Sequence, residues 1–305
     1  MITNTKVFGD HLDKDVDNIF FDEFAVTPSE YESIAKVSTA PAGDHYTEAE
    51  LSPLSDLREV PEGSGIQFDM PVEGHKKVIY YDAYGLGFQI TPQFWKDDLT
   101  GNFKQMPSKL AKSAAQKPNV IFFDLFNSGF TTDQTAWDGK ATFATDHETL
   151  KSGQTIANEP ATAGSLSETT LQAAFEYYDG LVDEAGNPII LSGPFTLLVP
   201  NQLKYSAKKL MQNVLAIGTA NNDLNIVSTA NSIVENYALH VSRYLTSSTA
   251  WFLLSGDHDH RFFWKDRPEL SSADDFYTGS ALFKVWERFA AFTMGYKGSY
   301  GNEGA

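Results

Sequence analysis

The residues that could do chemistry are few. His258-Asp259-His260, preceded by Asp257, is the one stretch that suggests a metal. Alternation along a strand would put both imidazoles on one face, within reach of one zinc. A third ligand is not spaced nearby, so the expectation is a hydrated polar turn between Leu254 and Phe262, with no metal bound. Asp146-His147-Glu148 has the residue types of an acid–base or triad fragment, but no context marks a nucleophile. Asp97-Asp98 is an adjacent acid pair. Neighbours on a helix point about 100° apart, so these two do not share a proton as a dyad would. Both groups read as solvated loop or helix end. Gly63-Ser64-Gly65 and Gly85-Leu86-Gly87 lack the third glycine and strand-to-helix turn of a dinucleotide site, and read as turn and strand glycines. No phosphate-loop lysine motif or Gly-x-Ser-x-Gly elbow occurs. The expectation is no catalytic, cofactor-binding or metal site, and hence no enzyme.

Composition narrows the class further. The chain has 305 residues, and 22 Phe, 13 Tyr and 5 Trp supply an ample core. Without cysteine there is no disulfide framework and no thiolate ligand or nucleophile. With 23 Lys and Arg against 40 Asp and Glu, the net charge is −17. That balance argues against gripping a nucleic-acid backbone, which needs clustered cations. Apolar runs such as Val120 to Phe123 are far short of the roughly 20 residues of a membrane span. The N-terminus has no basic stretch before an apolar core, so no secretion signal is expected.

The elements that would position these residues follow from periodicity. Asp10 to Glu23 reads as acidic and interrupted, and Thr27-Pro28-Ser29-Glu30 as the start of a short helix. Ile66, Phe68 and Met70 alternate with polar neighbours, and residues 45 to 90 read as long strands around a glycine-rich tip. Such a hairpin cannot bury itself and needs another surface, expected to be another chain. Thr91-Pro92 opens a helix, and residues 104 to 127 predict a long one, kinked or broken at Pro118 and stopped by Gly129. Ser165 and Glu168 predict a capping box for a helix through Leu171, Phe175, Tyr178 and Val182. Phe195 to Val199 predicts a buried strand, and Asn201 to Val214 a second amphipathic helix. Strands are predicted at Ile233–Glu235, Trp251–Leu254, Arg261–Trp264 and Phe283–Tyr296.

The ordered set of segments resembles the major capsid proteins of tailed phages with the Hong Kong 97 fold, most of all the major head subunits of Mu-type phages. Its stretches are Tyr84-Gly85-Leu86-Gly87-Phe88-Gln89-Ile90-Thr91, the helix through Leu110, Ala114, Phe122 and Leu125, and Asp138-Gly139-Lys140-Ala141-Thr142-Phe143-Ala144-Thr145-Asp146-His147. Leu197-Leu198-Val199-Pro200 and Trp251-Phe252-Leu253 follow in order. The resemblance implies an α+β chain with an N-terminal arm at 1–37 and an extended loop, the E-loop, at 38–90. It implies a peripheral domain at 91–189 with a spine helix near 104–127, an axial domain at 190–265, and a final peripheral strand within 266–305. The function it implies is a major capsid protein that self-assembles into pentamers and hexamers to form the icosahedral head of a tailed double-stranded DNA phage. It would reside in the virion, and in the host cytoplasm during assembly. Implied partners are a separate scaffolding protein, a portal, a possible decoration protein and enclosed DNA held without sequence-specific contact; a membrane is not among them.

Two surfaces are expected to carry assembly. Ile66, Phe68, Val78 and Tyr80 of the E-loop should pack on a neighbouring subunit. The loop with Gly218, Asn221, Asn222 and Asn225 should sit at the capsomer centre, where small polar groups can re-pair between rings of five and six. Some relatives weld their shells through an E-loop lysine. Glu59 to His75 contains none, although Lys76 and Lys77 follow, so a noncovalent shell is expected. The alternative readings are an encapsulin-like cargo compartment on the same fold and an acidic soluble hydrolase using Asp146, His147 or the His258/His260 pair.

Overall fold

The computed structural model describes residues 6–305 except 53, 55–56, 67, 98–104, 151–153, 184–186, 192–193, 214–224, 226, 229–236 and 276. The chain divides into two compact units: 1–46, 79–122 and 261–291 form one, and 47–78, 123–260 and 292–305 the other.

The first unit is built on a sheet of β1 (Lys36–Thr39), β10 (His260–Asp274), β11 (Ala281–Thr293) and β4 (Asp82–Ile90), in that order. Phe283, Val285 and Phe289 of β11 point to the core at strand period. β4 runs antiparallel to β11 with Gly87 opposite Lys284. A Cβ at Gly87 would lie 2.7 Å from the Phe283 carbonyl oxygen, so glycine is what allows this approach. Against these strands lie α1 (Lys6–Val26) and α3 (Gln105–Asn127). Phe20 of α1 packs with Leu110, Ala111, Ala114 and Val285, and Val16 with Ile90 and Phe283.

Several expectations change here. The stretch read as interrupted is a helix of 21 residues, α1. Val16, Phe20 and Phe24 recur every four residues, and their shared stripe outweighs the acidic face. Thr27 closes α1 instead of opening another helix: its hydroxyl donates to the Glu23 carbonyl at 2.9 Å. Only a single 3₁₀ turn, Tyr31–Ser33, follows. Tyr31 is instead held by tertiary bonds, its N–H donating to Asn119 Oδ1 at 3.0 Å and its hydroxyl accepting from Trp264 Nε1 at 3.1 Å. Pro118 does not break α3, which runs unbroken past it. Beside the missing N–H, Asn119 Nδ2 donates to the Ala115 carbonyl at 3.0 Å, and burial on the apolar face holds the helix on both sides of the proline. Thr91 does cap α2 (Pro92–Asp97), accepting from the Phe94 N–H.

The second unit centres on the sheet β12 (Ser299–Asn302), β9 (Trp251–Leu254), β7 (Phe195–Pro200) and β8 (Tyr237–Ser242). β7 pairs in parallel with β8 and antiparallel with β9. α4 (Glu168–Asp179) and α5 (Lys204–Gln212) supply Leu171, Phe175, Tyr178, Ala207 and Leu210 to one core with Leu197, Val199, Trp251 and Leu253. The capping box of α4 is Ser167 with Thr170, two residues later than the spacing suggested, because the Thr170 hydroxyl reaches back as a glutamate would. Val182 lies past the helix, in a bridge to Pro188. The strand predicted at Ile233–Glu235 and the helix end at Val214 lie outside the described residues. The predicted last strand stops at Thr293, and the chain turns back into β12.

Residues 128–165 carry little regular structure beyond the short pair β5 (His147–Glu148) and β6 (Thr155–Ile156). Asn158, fully buried, holds this region together. Its Nδ2 donates to the Thr142 carbonyl at 2.8 Å and the Ser299 carbonyl at 3.2 Å, and its Oδ1 accepts from the Ala144 N–H at 2.8 Å. Asn158→Ala should therefore lower unfolding stability by about 2–3 kcal/mol, since three buried backbone groups lose their partner at once. Denaturant titration checks this: the midpoint should fall with the slope unchanged.

Candidate assembly surface

Within the second unit, the segment expected to be the E-loop is pinned at a neck. Ser52 is buried; its N–H donates to the Val72 carbonyl at 3.0 Å and its Oγ accepts from the Val72 N–H at 2.9 Å. Below the neck, β2 (His45–Leu51) pairs with β3 (Glu73–Tyr80). Beyond it, the described apolar side chains are in water. Leu57 is fully exposed, Phe68 94% exposed, Met70 83% and Ile66 72%. Val78 and Tyr80 are also exposed. Among the described residues of the stretch expected as a strand at Ile66–Met70 none is in a strand; alternation makes a strand only where a ladder partner exists, and the described residues supply none.

Lys77 on β3 is not offered to a neighbour. Its ammonium donates to the Thr135 carbonyl and, at 2.7 Å, to the Thr293 carbonyl. Burial lowers its pKa to about 8, opposed by the charge of Asp138.

The three histidines singled out for chemistry are buried, which corrects the reading of solvated loops for them, whereas Asp146, Glu148 and Asp97 are exposed, in line with that reading. His147 is completely buried; its Nδ1 lies 2.7 Å from Asp138 Oδ2 and its ring stacks on Tyr296 at 4.0 Å. Burial works to raise the Asp138 pKa, but the hydrogen bond and charge of His147 and the Lys140 N–H outweigh it and hold the carboxyl below the usual value. The turn at Gly139, at φ 74°, lets the chain double back and bring the two together. His258 and His260 are also buried, with rings 5.3 Å apart. His258 Nδ1 accepts from the His260 N–H, and His260 Nδ1 pairs with Thr293 Oγ1 at 2.7 Å. His260 starts β10 and His258 stands two residues before it; being buried, neither lies in a hydrated turn, and the exposed turn is at Gly256-Asp257. Among the described residues no three His, Asp or Glu side chains converge as a metal site. Asp97 ends α2; Asp98 lies outside the described residues.

Of the expected capsomer-centre loop, Gly218, Asn221 and Asn222 lie outside the described residues. Asn225 is fully buried, and its Nδ2 donates to the carbonyls of Leu210 at 2.6 Å and Asn213 at 2.8 Å. It caps the end of α5 within its own chain, so it is not free to re-pair between subunits.

The family model described as phage capsid protein matches residues 79–302, most of the chain. The chain belongs to this phage capsid protein family. Solved structures give the same fold. The capsid of an empty GTA particle is similar with a TM-score of 0.59 at 8% identity, covering 91% of this chain and 90% of that one. The capsid of bacteriophage JBD30 decorated with minor capsid protein trimers has a TM-score of 0.55 at 16% identity, covering 72% and 91%. A virus-like particle from Pyrococcus furiosus has a TM-score of 0.53 at 8% identity, covering 95% and 98%. No curated protein matches in sequence. The protein is thus a phage capsid protein with the Hong Kong 97 fold, a structural component of the virion. No described helix of this capsid protein is long and apolar enough to cross a membrane.

The Asp138–His147 pair gives a test in acid. The folded-state pKa of Asp138 is depressed, so its contribution is present above the unfolded value of about 3.9 and is lost as pH falls through the folded value. Asp138→Asn should cost about 3 kcal/mol near neutral pH, the penalty for breaking a buried pair. Thermal melts across acid pH should show the wild-type advantage shrinking towards the variant as the carboxyl protonates.

Proposed function

We propose that this capsid protein forms pentamers and hexamers held by the E-loop of each subunit lying on its neighbour. One observation carries the reading: Ile66, Phe68, Met70 and Leu57 are each exposed, beyond a neck pinned by Ser52 and Val72. Exposed apolar surface of this kind marks an interaction site. Each such side chain, once covered, contributes about 1.5–3 kcal/mol, repeated around every ring. The head is that of a Mu-type tailed phage, with double-stranded DNA packed inside. The net charge of −17 favours an inner wall that does not grip the duplex. A scaffolding protein and a portal act in assembly, and the decorated relative supports a minor protein on the outer surface. The capsomer-centre role is assigned to residues 217–224 without Asn225. Contacts are noncovalent in this reading, supported by the lack of lysine from Glu59 to His75 and by the commitment of the Lys77 amine to two carbonyls inside its own subunit. The protein is proposed to have no enzymatic activity and to need no cofactor.

An encapsulin-like compartment is the second reading, favoured by the likeness to the virus-like particle. Electron micrographs of particles separate the two by packaged genome and tails.

Phe68→Asp should raise the concentration needed for shell formation by about tenfold or more, from loss of roughly 1.5–3 kcal/mol per contact. Sedimentation should show slow species in place of particles, with the circular dichroism of the subunit unchanged. Particles forming at wild-type concentration would remove the E-loop from this role.

A further inference from the structure

Strand β11 alternates Phe283, Val285, Glu287, Phe289 towards the core, and one of these four is an acid. Glu287 is only 3% exposed, and its Oε2 has no hydrogen-bond partner. A cleft of about 220 Å³ adjoins it, between Ser113 and Lys117 of α3 and Tyr84, Leu86 and Val285 of the sheet. An unpaired carboxyl in an apolar seam is costly, and the cost grows steeply on ionisation.

The groups facing it are few. From α3 comes Lys117, whose ammonium lies over the Tyr84 ring, 4.8 Å from its centroid. From β4 comes Tyr84, whose phenol is held neutral by burial, with the charges of Asp82 and Glu287 adding to the effect. Arg288, next on β11, is turned to Asp266 of β10 at 3.8 Å. Glu23 of α1 is taken by Lys112 and Ser108.

We infer that Glu287 and Lys117 form a proton-controlled switch in the seam between α3 and the β4–β11 strands. With Glu287 protonated, the carboxyl stays in the apolar seam and Lys117 rests on the Tyr84 ring. When Glu287 gives its proton to water, the carboxylate draws the Lys117 ammonium off the ring and into the cleft, together with water, and the seam loosens. Two seats for one cation, with room between them, make the change discrete. Burial pushes the Glu287 pKa up to about 7, with the Lys117 charge working against it, so the change falls near neutral pH.

The sign is fixed by linkage. A carboxyl whose folded pKa is raised contributes stability below its unfolded value and loses it as pH rises through the folded value. Hydrogen exchange of the purified full chain reads the seam. Between about pH 6 and about pH 8, protection of residues 105–122, corrected for intrinsic exchange, should fall about tenfold, as expected for a carboxyl moved from 4.5 to about 7. In Glu287→Gln the fall should vanish while the helix stays protected at the lower pH. In Lys117→Met the midpoint should move to higher pH, because the cation opposing desolvation is gone. A tenfold fall surviving in Glu287→Gln, or an unmoved midpoint in Lys117→Met, would overturn the switch. If Glu287→Gln does not fold, the wild-type and Lys117→Met midpoints decide alone.

Discussion

Between residues 128 and 165 the chain has almost no ladder of its own, yet much of it is buried. Every buried carbonyl and N–H there needs a partner supplied from elsewhere. Asn158 meets that constraint with one side chain, taking the Thr142 and Ser299 carbonyls and the Ala144 N–H, while its own carbonyl accepts from the Gly301 N–H. The amide suits this because it donates twice and accepts twice. Strand β12 is thereby tied to an irregular loop, and the loop becomes as fixed as a sheet.

Once that segment is fixed, the Asp138 to His147 stretch has a structural meaning. Asp138 and His147 pair across a tight turn, and Tyr296 covers the imidazole. In a pattern that looks like part of a catalytic triad, His147 is a staple: it is buried, bonded to Asp138 and stacked on an aromatic ring. His258 and His260 are used in the same way, for backbone and hydroxyl partners. Chemistry-bearing residue types in this protein serve to satisfy polar groups within irregular backbone.

The E-loop is the inverse case. Its neck is closed by the two Ser52–Val72 hydrogen bonds, and Lys77 of the strand below it is bonded to the Thr135 and Thr293 carbonyls. Its apolar side chains are left unsatisfied by the subunit. A fold that leaves exposed apolar side chains on one segment gains by association there.

Sequence alone was enough for the α+β class, the Hong Kong 97 likeness, the long helix, β7, β9 and the unsupported hairpin. Each rests on local periodicity or on an ordered run of residues, which chain order preserves. What tertiary structure decided was everything that depends on a distant partner. The helix α1 was obscured because its narrow apolar stripe is diluted by acids and is covered by α3 and the sheet. Pro118 is tolerated because neighbours hold both halves of α3. His147, His258 and His260 are inside because Asp138, Tyr296 and Thr293 come to meet them from other parts of the chain. Glu287 was visible as an acid in an apolar alternation, but its isolation and the cation across the cleft exist only after folding. Patterns of period 2 and 3.6 state which side of an element is apolar; they do not state what covers it, and burial of polar groups is decided by that cover.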